Sequence, residues 1–432
     1  NSYLQVVASR NMLINKYVKF QDNDRSKTQT TDYKSTESEN KLRVEYTGRK
    51  NGLKYNVGIG YELARYYNKS RFAVPFGTVN YETKFVVHKY SLFSQVSKSV
   101  FKERLALSLG VRFDGNSYNS SMANIVNQVS PRFSSSLSIT KDLRWNTNVG
   151  YYHQLPQYTA MGYKDTSGIL VNKGSLTYSR NLHVVTGFDL STKWNGRFSL
   201  EGFYKQYFNM PFSVRNQVSL SNLGGGYGVL GNEKVTSTSE GRAYGLEFLY
   251  EQKLNKGFYG TFAYTLFWSE FKDKNGKYAP SSWDSRHIIT FSLGKKFKKG
   301  WELGGRLRSQ GGFPYTPTDV ATSSLIPVYN AQPEGVLDWN QLNQSRLKFF
   351  YAFDIRVTKK WAFKQWGLEL YLDIQNLTMS KVDQAPTFVL DYDVNGNPQV
   401  DPSDPSRYKT KFLEDTKKRG TLLPAIGIVI TY

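Results

Sequence analysis

The chain has 432 residues, with 57 Lys and Arg against 35 Asp and Glu, a net charge of +22 and no cysteine. The missing cysteine excludes disulfides and thiolate metal sites. No stretch approaches the roughly 18 consecutive apolar residues of a membrane helix. Aromatics make up 15 % of the residues while the mean hydropathy is −0.52, a combination that suits aromatic side chains placed at interfaces. The charge first suggests nucleic acid. Yet Lys and Arg are spread along the whole length with no basic helix or RNA-binding signature, so an anionic membrane surface or an acidic ligand explains it at least as well. No nucleic-acid partner is expected.

In chain order, alternating segments are joined by short turns and long polar loops in strict succession. Segment 3–20 already reads as strand, so the chain looks processed, truncated or preceded by an N-terminal part. A polar loop is expected at 21–40, then strand 41–49, the turn Lys50-Asn51-Gly52 and strand 53–66. Asn-Gly between two alternating runs is the strongest short hairpin signal. After an expected loop at 67–85 come strands 86–99, 103–115, 129–140 and 143–154. Strands 181–194, 197–210, 239–254, 257–271, 283–298, 300–313, 346–360 and 364–378 follow, and the chain ends on 420–432. In that last segment Leu422, Pro424, Ile426, Ile428, Ile430 and Tyr432 share one face, opposite Ala425, Gly427, Val429 and Thr431.

That makes about sixteen strands with one continuous apolar face. The opposite face carries Arg104, Arg112, Glu201, Lys205, Glu247, Glu251, Arg306, Arg308, Asp354, Arg356, Glu369 and Asp373. Charges of both signs facing a lumen pair or meet water, whereas a Lys or Arg at the lipid midplane costs about 2–4 kcal/mol. Segregation of connections by length fits a barrel with short periplasmic turns and long outer loops. A large two-sheet soluble protein is the competing reading, but closure removes sheet edges more economically. The expected fold is therefore all-β: a transmembrane antiparallel up-and-down β-barrel, read as one domain over 1–432.

Several segments resemble the C-terminal barrel of TonB-dependent outer-membrane receptors, in the form common in Bacteroidota. They are Ser285-Arg286-His287-Ile288-Ile289-Thr290, Gly311-Gly312-Phe313-Pro314-Tyr315-Thr316-Pro317, Leu370-Tyr371-Leu372-Asp373-Ile374-Gln375-Asn376-Leu377-Thr378, and the aromatic-terminated last strand. The resemblance implies a 22-stranded barrel around an N-terminal plug, so six strands and the plug would lie upstream of Asn1. It implies location in the outer membrane, among lipid and lipopolysaccharide. It further implies capture of a scarce nutrient by outer loops, and import by plug movement driven by the TonB inner-membrane complex. A surface lipoprotein lid is a further partner in some members, and Tyr432 would be the terminal aromatic read by the assembly machinery. A passive sixteen-stranded porin, or the structural barrel of a secretion or adhesion assembly, remains the alternative.

No catalytic set stands out, and no enzyme activity is expected. His88, His153, His183 and His287 are scattered over four strands without the spacing of a metal pair. Gly224-Gly225-Gly226-Tyr227-Gly228 is Gly-rich but opens no helix, so a loop tip suits it better than a phosphate site. Asp391-Tyr392-Asp393-Val394-Asn395-Gly396-Asn397 matches the first half of a calcium loop, although Pro402 stands where the bidentate carboxylate belongs. Asp391, Asp393 and Asn395 are thus either calcium ligands or the tip of an Asn-Gly hairpin. No other cofactor is implied. Outer-side candidates for ligand binding, by ring stacking or ion pairing, are Tyr158, Tyr163, Arg215, Tyr227, Trp283, Tyr315 and Trp339.

Overall fold

Period-two alternation becomes one continuous antiparallel sheet in the computed structural model, which describes residues 2–21, 24–74, 77–165, 167–224, 231–413 and 419–432. Its sixteen long strands follow in chain order. The first eight are β1 (Ser2–Phe20), β2 (Gln29–Lys50), β3 (Leu53–Val74), β4 (Gly77–Val100), β5 (Leu105–Asn116), β6 (Val129–Ser138), β7 (Leu143–Gln154) and β8 (Ser179–Ser191). The second eight are β9 (Gly196–Ser213), β10 (Val235–Asn255), β11 (Phe258–Lys272), β12 (His287–Lys296), β13 (Trp301–Gln310), β14 (Phe350–Ala362), β15 (Gly367–Gln375) and β16 (Leu423–Thr431). Two short pieces, Val218–Ser219 and Tyr278–Pro280, pair with β9 and β11 and bring the sheet to eighteen strands. Each long strand pairs with its sequence neighbours, as an up-and-down order requires.

The turns at one end are short because their residues accept left-handed backbone. Asn51 and Gly52 have φ of 51° and 74°, Lys256 and Gly257 of 48° and 85°, and Lys299 and Gly300 of 59° and 76°. Two consecutive positive φ values match the twist of flanking strands. All long connections lie at the opposite end.

Two expected loops prove to be mostly strand. Within 21–40 and 67–85, β2 already begins at Gln29, β3 continues to Val74 and β4 starts at Gly77. Strands of 22 to 24 residues are about 75 Å long, far more than a membrane needs, so β2, β3 and β4 project beyond it. The signal was hidden because the projecting part loses its lipid face: Thr36, Ser38, Lys69 and Arg71 stand where apolar residues would otherwise alternate.

Register confirms the two faces. Ile426, Ile428 and Ile430 lie opposite Leu372, Leu370 and Leu368, while Ala425, Gly427 and Val429 lie opposite Asp373, Tyr371 and Glu369. Among the described residues, β16 pairs only with β15 and β1 only with β2. The sheet still curls: Lys19 on β1 reaches Glu334, between β13 and β14, at 3.3 Å.

Candidate ligand-binding site in the outer mouth

The largest buried cluster sits at the long-loop end, on the inner face of the projecting strands. Ala64 and Tyr66 on β3 and Phe85 and Val87 on β4 provide the wall. Tyr118, Met122, Tyr158, Ala160, Met161, Leu176, Tyr178 and Leu220 fold down onto it from the loops, and Val235 joins them from the start of β10. Short helices at Ser120–Ala123 and Tyr158–Met161 shape this cap, the first held by an Asn119 side chain that accepts from the Met122 N–H. Asn172 ties the cap to the sheet: its Nδ2 donates to the carbonyls of Ala160 (2.9 Å) and Glu233 (2.8 Å), and its Oδ1 accepts from the Val235 N–H (3.0 Å).

Beneath the cap the inner wall is ionic. Lys89 reaches Glu39 (3.0 Å) and Glu62, and Lys41 reaches the same two carboxylates at 2.6 and 3.3 Å. The Tyr158 hydroxyl donates to Glu39 at 2.8 Å. Burial first, and the Glu39 carboxylate second, keep that phenol well above its usual pKa. A depression of about 380 Å³ opens here, lined in part by Lys41, Arg43, Glu62, Phe93, Arg112 and Asp114. A second, of about 390 Å³, continues down the wall and shares Arg43, Phe93 and Arg112 with the first. The guanidiniums of Arg43 and Arg112 lie 4.8 and 6.0 Å from the Phe93 ring centre. The groove therefore offers cations, an aromatic face and carboxylates, the groups that hold an anionic or flat ligand.

The sequence-predicted residues divide. Tyr158 is buried cap core rather than a free outer aromatic. Trp339 packs on Val218, Ala279 and Leu342. Tyr163 stacks on Tyr81 at 6.3 Å, and Tyr315 lies in a short ladder beside a 350 Å³ depression that also holds Arg346 and Lys348. Arg215 is exposed, and Trp283 is 60 % exposed with Phe313 edge-on at 6.5 Å. Tyr227 lies outside the described residues. The described members of the predicted set are not gathered in one place; the groove uses Arg112 together with Arg43 and Phe93, which the sequence reading missed. Phe93 had a usable signal: it is an aromatic on the parity of Ser91, Gln95 and Ser97, the polar face of β4.

The charged inner face continues around the sheet. Asp354 takes Arg306 at 2.8 Å and Arg308 at 3.1 Å, Arg356 reaches Glu369 at 3.1 Å, and Arg112 reaches Asp114 at 2.7 Å. Asp373 lies opposite Arg356, and Glu201 opposite Glu247. Arg104 departs from its expected place on a strand. It sits in the short turn before β5 and donates to the Ile139 carbonyl at 3.0 Å, so it anchors one turn to the next.

In the last long loop Asp391 is engaged by Lys409 (3.1 Å) and Lys411 (2.8 Å), which hold its carboxyl below the usual range. Asp393 Oδ1 accepts the N–H groups of Asn395 (2.9 Å) and Asn397 (2.8 Å), the bonding of a tight turn. Among the described residues, no three His, Asp or Glu side chains gather as a metal site. The loops around it interlock: Arg407 donates to the Ala321 carbonyl and Ser324 Oγ, and Tyr408 sets its ring against Tyr329.

Comparison with known proteins agrees with this architecture. The chain resembles the ferric citrate transporter FecA, with a TM-score of 0.61 and 11% identity over 99% of this chain and 59% of that one. It resembles the ferric yersiniabactin uptake receptor FyuA of Yersinia pestis, with a TM-score of 0.60 and 12% identity over 99% and 58%. The ferripyoverdine receptor of Pseudomonas aeruginosa gives 0.60 and 14% over 89% and 51%. The chain thus spans somewhat more than half the length of these structures, which share its fold. No curated protein matches it in sequence. The family model described as TonB dependent receptor-like, beta-barrel matches residues 2–377, and the chain belongs to that family of outer-membrane barrels.

Proposed function

We propose that this chain is the ligand-receiving wall of a TonB-dependent receptor, which captures a scarce nutrient at its outer mouth and passes it through the lumen by energy-coupled movement of a plug. The observation that carries this reading is the mouth itself: loops fold inward to cap the wall, and a charged groove containing Arg43, Phe93 and Arg112 continues beneath them. Such an arrangement suits capture followed by inward release. The edges of β1 and β16, each with one partner among the described residues, are where further strands of a larger barrel would pair. A self-sufficient sixteen-stranded porin would join them to each other.

The structures it resembles name ferric citrate, ferric yersiniabactin and ferripyoverdine as cargo, which makes an anionic ferric chelate the first class to test. Partners in this reading are the plug, the TonB complex, outer-membrane lipid and lipopolysaccharide, with a lipoprotein lid as a further candidate. Tyr432, exposed just after β16, would serve as the assembly signal. The test is accumulation of ⁵⁵Fe-labelled chelates by cells carrying the full-length protein, with and without an inner-membrane proton gradient. Gradient-dependent uptake supports a receptor; gradient-independent passage of small solutes of every class supports a porin instead.

A further inference from the structure

Much of the net charge of +22 lies in one set of short turns. The seven short turns and the residues beside them (49–54, 98–104, 141–144, 193–197, 253–258, 295–302 and 359–366) hold nineteen Lys and Arg against three Asp and Glu. All seven are at the same end of the sheet, the periplasmic end of a barrel whose long loops face outward. The same rim holds Trp145, Trp194, Trp301, Trp361 and Trp366, five of the eight tryptophans. Interfacial tryptophans mark the level of lipid headgroups.

Direction distinguishes two kinds of lysine on this rim. Lys360 faces inward and is neutralised by Glu302 (3.2 Å) and Glu369 (3.3 Å). Lys98, Lys295 and Lys359 face outward, in register with Leu107, Leu303 and Leu370 of the apolar face. Among the described residues none of these three has a carboxylate partner. Two of them lie over rings. Lys295 Nζ is 4.3 Å from the Phe258 centre and 5.2 Å from Phe297, and Lys359 Nζ is 5.3 Å from Trp301 and 5.4 Å from Trp361. Lys359 also donates to the Lys299 carbonyl, which holds it at the rim.

We propose that this outward rim, centred on Lys295 and Lys359, binds the phosphodiester headgroups of anionic phospholipids in the periplasmic leaflet. Unpaired cations on the lipid side, at headgroup level, complement a negative lipid surface. A soluble acidic protein would be met by the turn tips instead. Each lysine near an anionic surface strengthens binding by roughly fivefold, and the effect falls with ionic strength.

The test uses full-length protein in phosphatidylcholine vesicles, with brominated phosphatidylglycerol or brominated phosphatidylcholine as quencher of tryptophan fluorescence. Brominated phosphatidylglycerol should be preferred by roughly fivefold or more, and the preference should shrink in 0.5 M sodium chloride. The double variant Lys295→Gln/Lys359→Gln should bring the ratio close to one, Lys295→Arg/Lys359→Arg should keep it, and Lys274→Gln/Lys277→Gln in the outer loop should leave it unchanged. Equal quenching by both lipids, or a preference that survives the Gln pair in folded protein, overturns the proposal and leaves the barrel reading intact. Quenching by neither lipid would instead contradict membrane insertion itself.

Discussion

The walls formed by β2–β4 and by β12–β16 obey the same alternation yet use their inner faces differently. On β3 and β4 the upper inner positions Ala64, Tyr66 and Val87 are almost fully buried under the loop cap. On β13–β15 the inner positions are Arg306, Asp354, Arg356 and Glu369, paired with each other, with Asp354 itself buried and the two arginines reaching into the lumen. Inner positions on the capped wall are thus filled by apolar side chains together with small polar ones such as Asn68, Ser70 and Thr83, whereas those on the open wall carry ion pairs. Strand length follows the same division, with 22 to 24 residues in β2–β4 against 9 to 13 in β12–β16.

The strongest way to break this contrast is to empty the cap. Met161 is fully buried, and Met161→Ala should destabilise the capped end by about 2–5 kcal/mol. Hydrogen exchange should show residues 155–178 losing protection while β12–β16 keep theirs; a uniform loss would mean that cap and wall do not form separate units. Next in size is the lipid face of the open wall. Ile428→Lys should cost about 2–4 kcal/mol in refolding into lipid vesicles, while Val429→Lys, one residue along on the lumen side, should cost much less. Third, Asp354→Asn leaves Arg306 and Arg308 without their shared carboxylate and weakens the bond from the Asn376 N–H. A loss of about 1–2 kcal/mol is expected from a charge-assisted bond of this kind, and the penalty should fall in high salt.

The smallest effect concerns the hairpin at 391–398. Its Asp391 and Asp393 carboxyls are held below their usual range, Asp391 chiefly by Lys411 and Lys409 and Asp393 by the Asn397 N–H. A depressed carboxyl stabilises the folded loop above the unfolded-state pKa and loses that contribution as pH falls through its own lower value. Limited proteolysis of this loop should accordingly be constant from neutral pH down to about pH 4 and rise only below it. Calorimetric titration with calcium at neutral pH should give no heat, since both carboxylates already have partners; saturable heat would favour the calcium reading over the hairpin tip.

All sixteen long strands were legible in the sequence because a lipid-facing strand must alternate, and the short turns because Asn51-Gly52 and Lys299-Gly300 accept positive φ. The upper halves of β2–β4 were not legible. Above the membrane no lipid enforces alternation, and a polar strand such as 29–40 looks like a loop. The site was less legible still. Tyr158 reads as an exposed loop aromatic until the loop is seen to turn inward, because burial by a distant part of the chain leaves no local pattern. Arg104 shares the parity of a lumen residue but falls one residue before its strand begins. Arg43 and Phe93 come from different strands, and only register brings them together.

The central claim is that one face of each strand meets lipid and the other a polar lumen, and the terminal strand tests it most cleanly. The chain has no native cysteine, so single cysteines at positions 425 to 430 can each carry a nitroxide in the full-length protein in lipid vesicles. Collision with oxygen, which concentrates in lipid, should peak at 426, 428 and 430, and collision with a water-soluble nickel chelate at 425, 427 and 429. Equal access of the nickel chelate to all six positions would contradict the account.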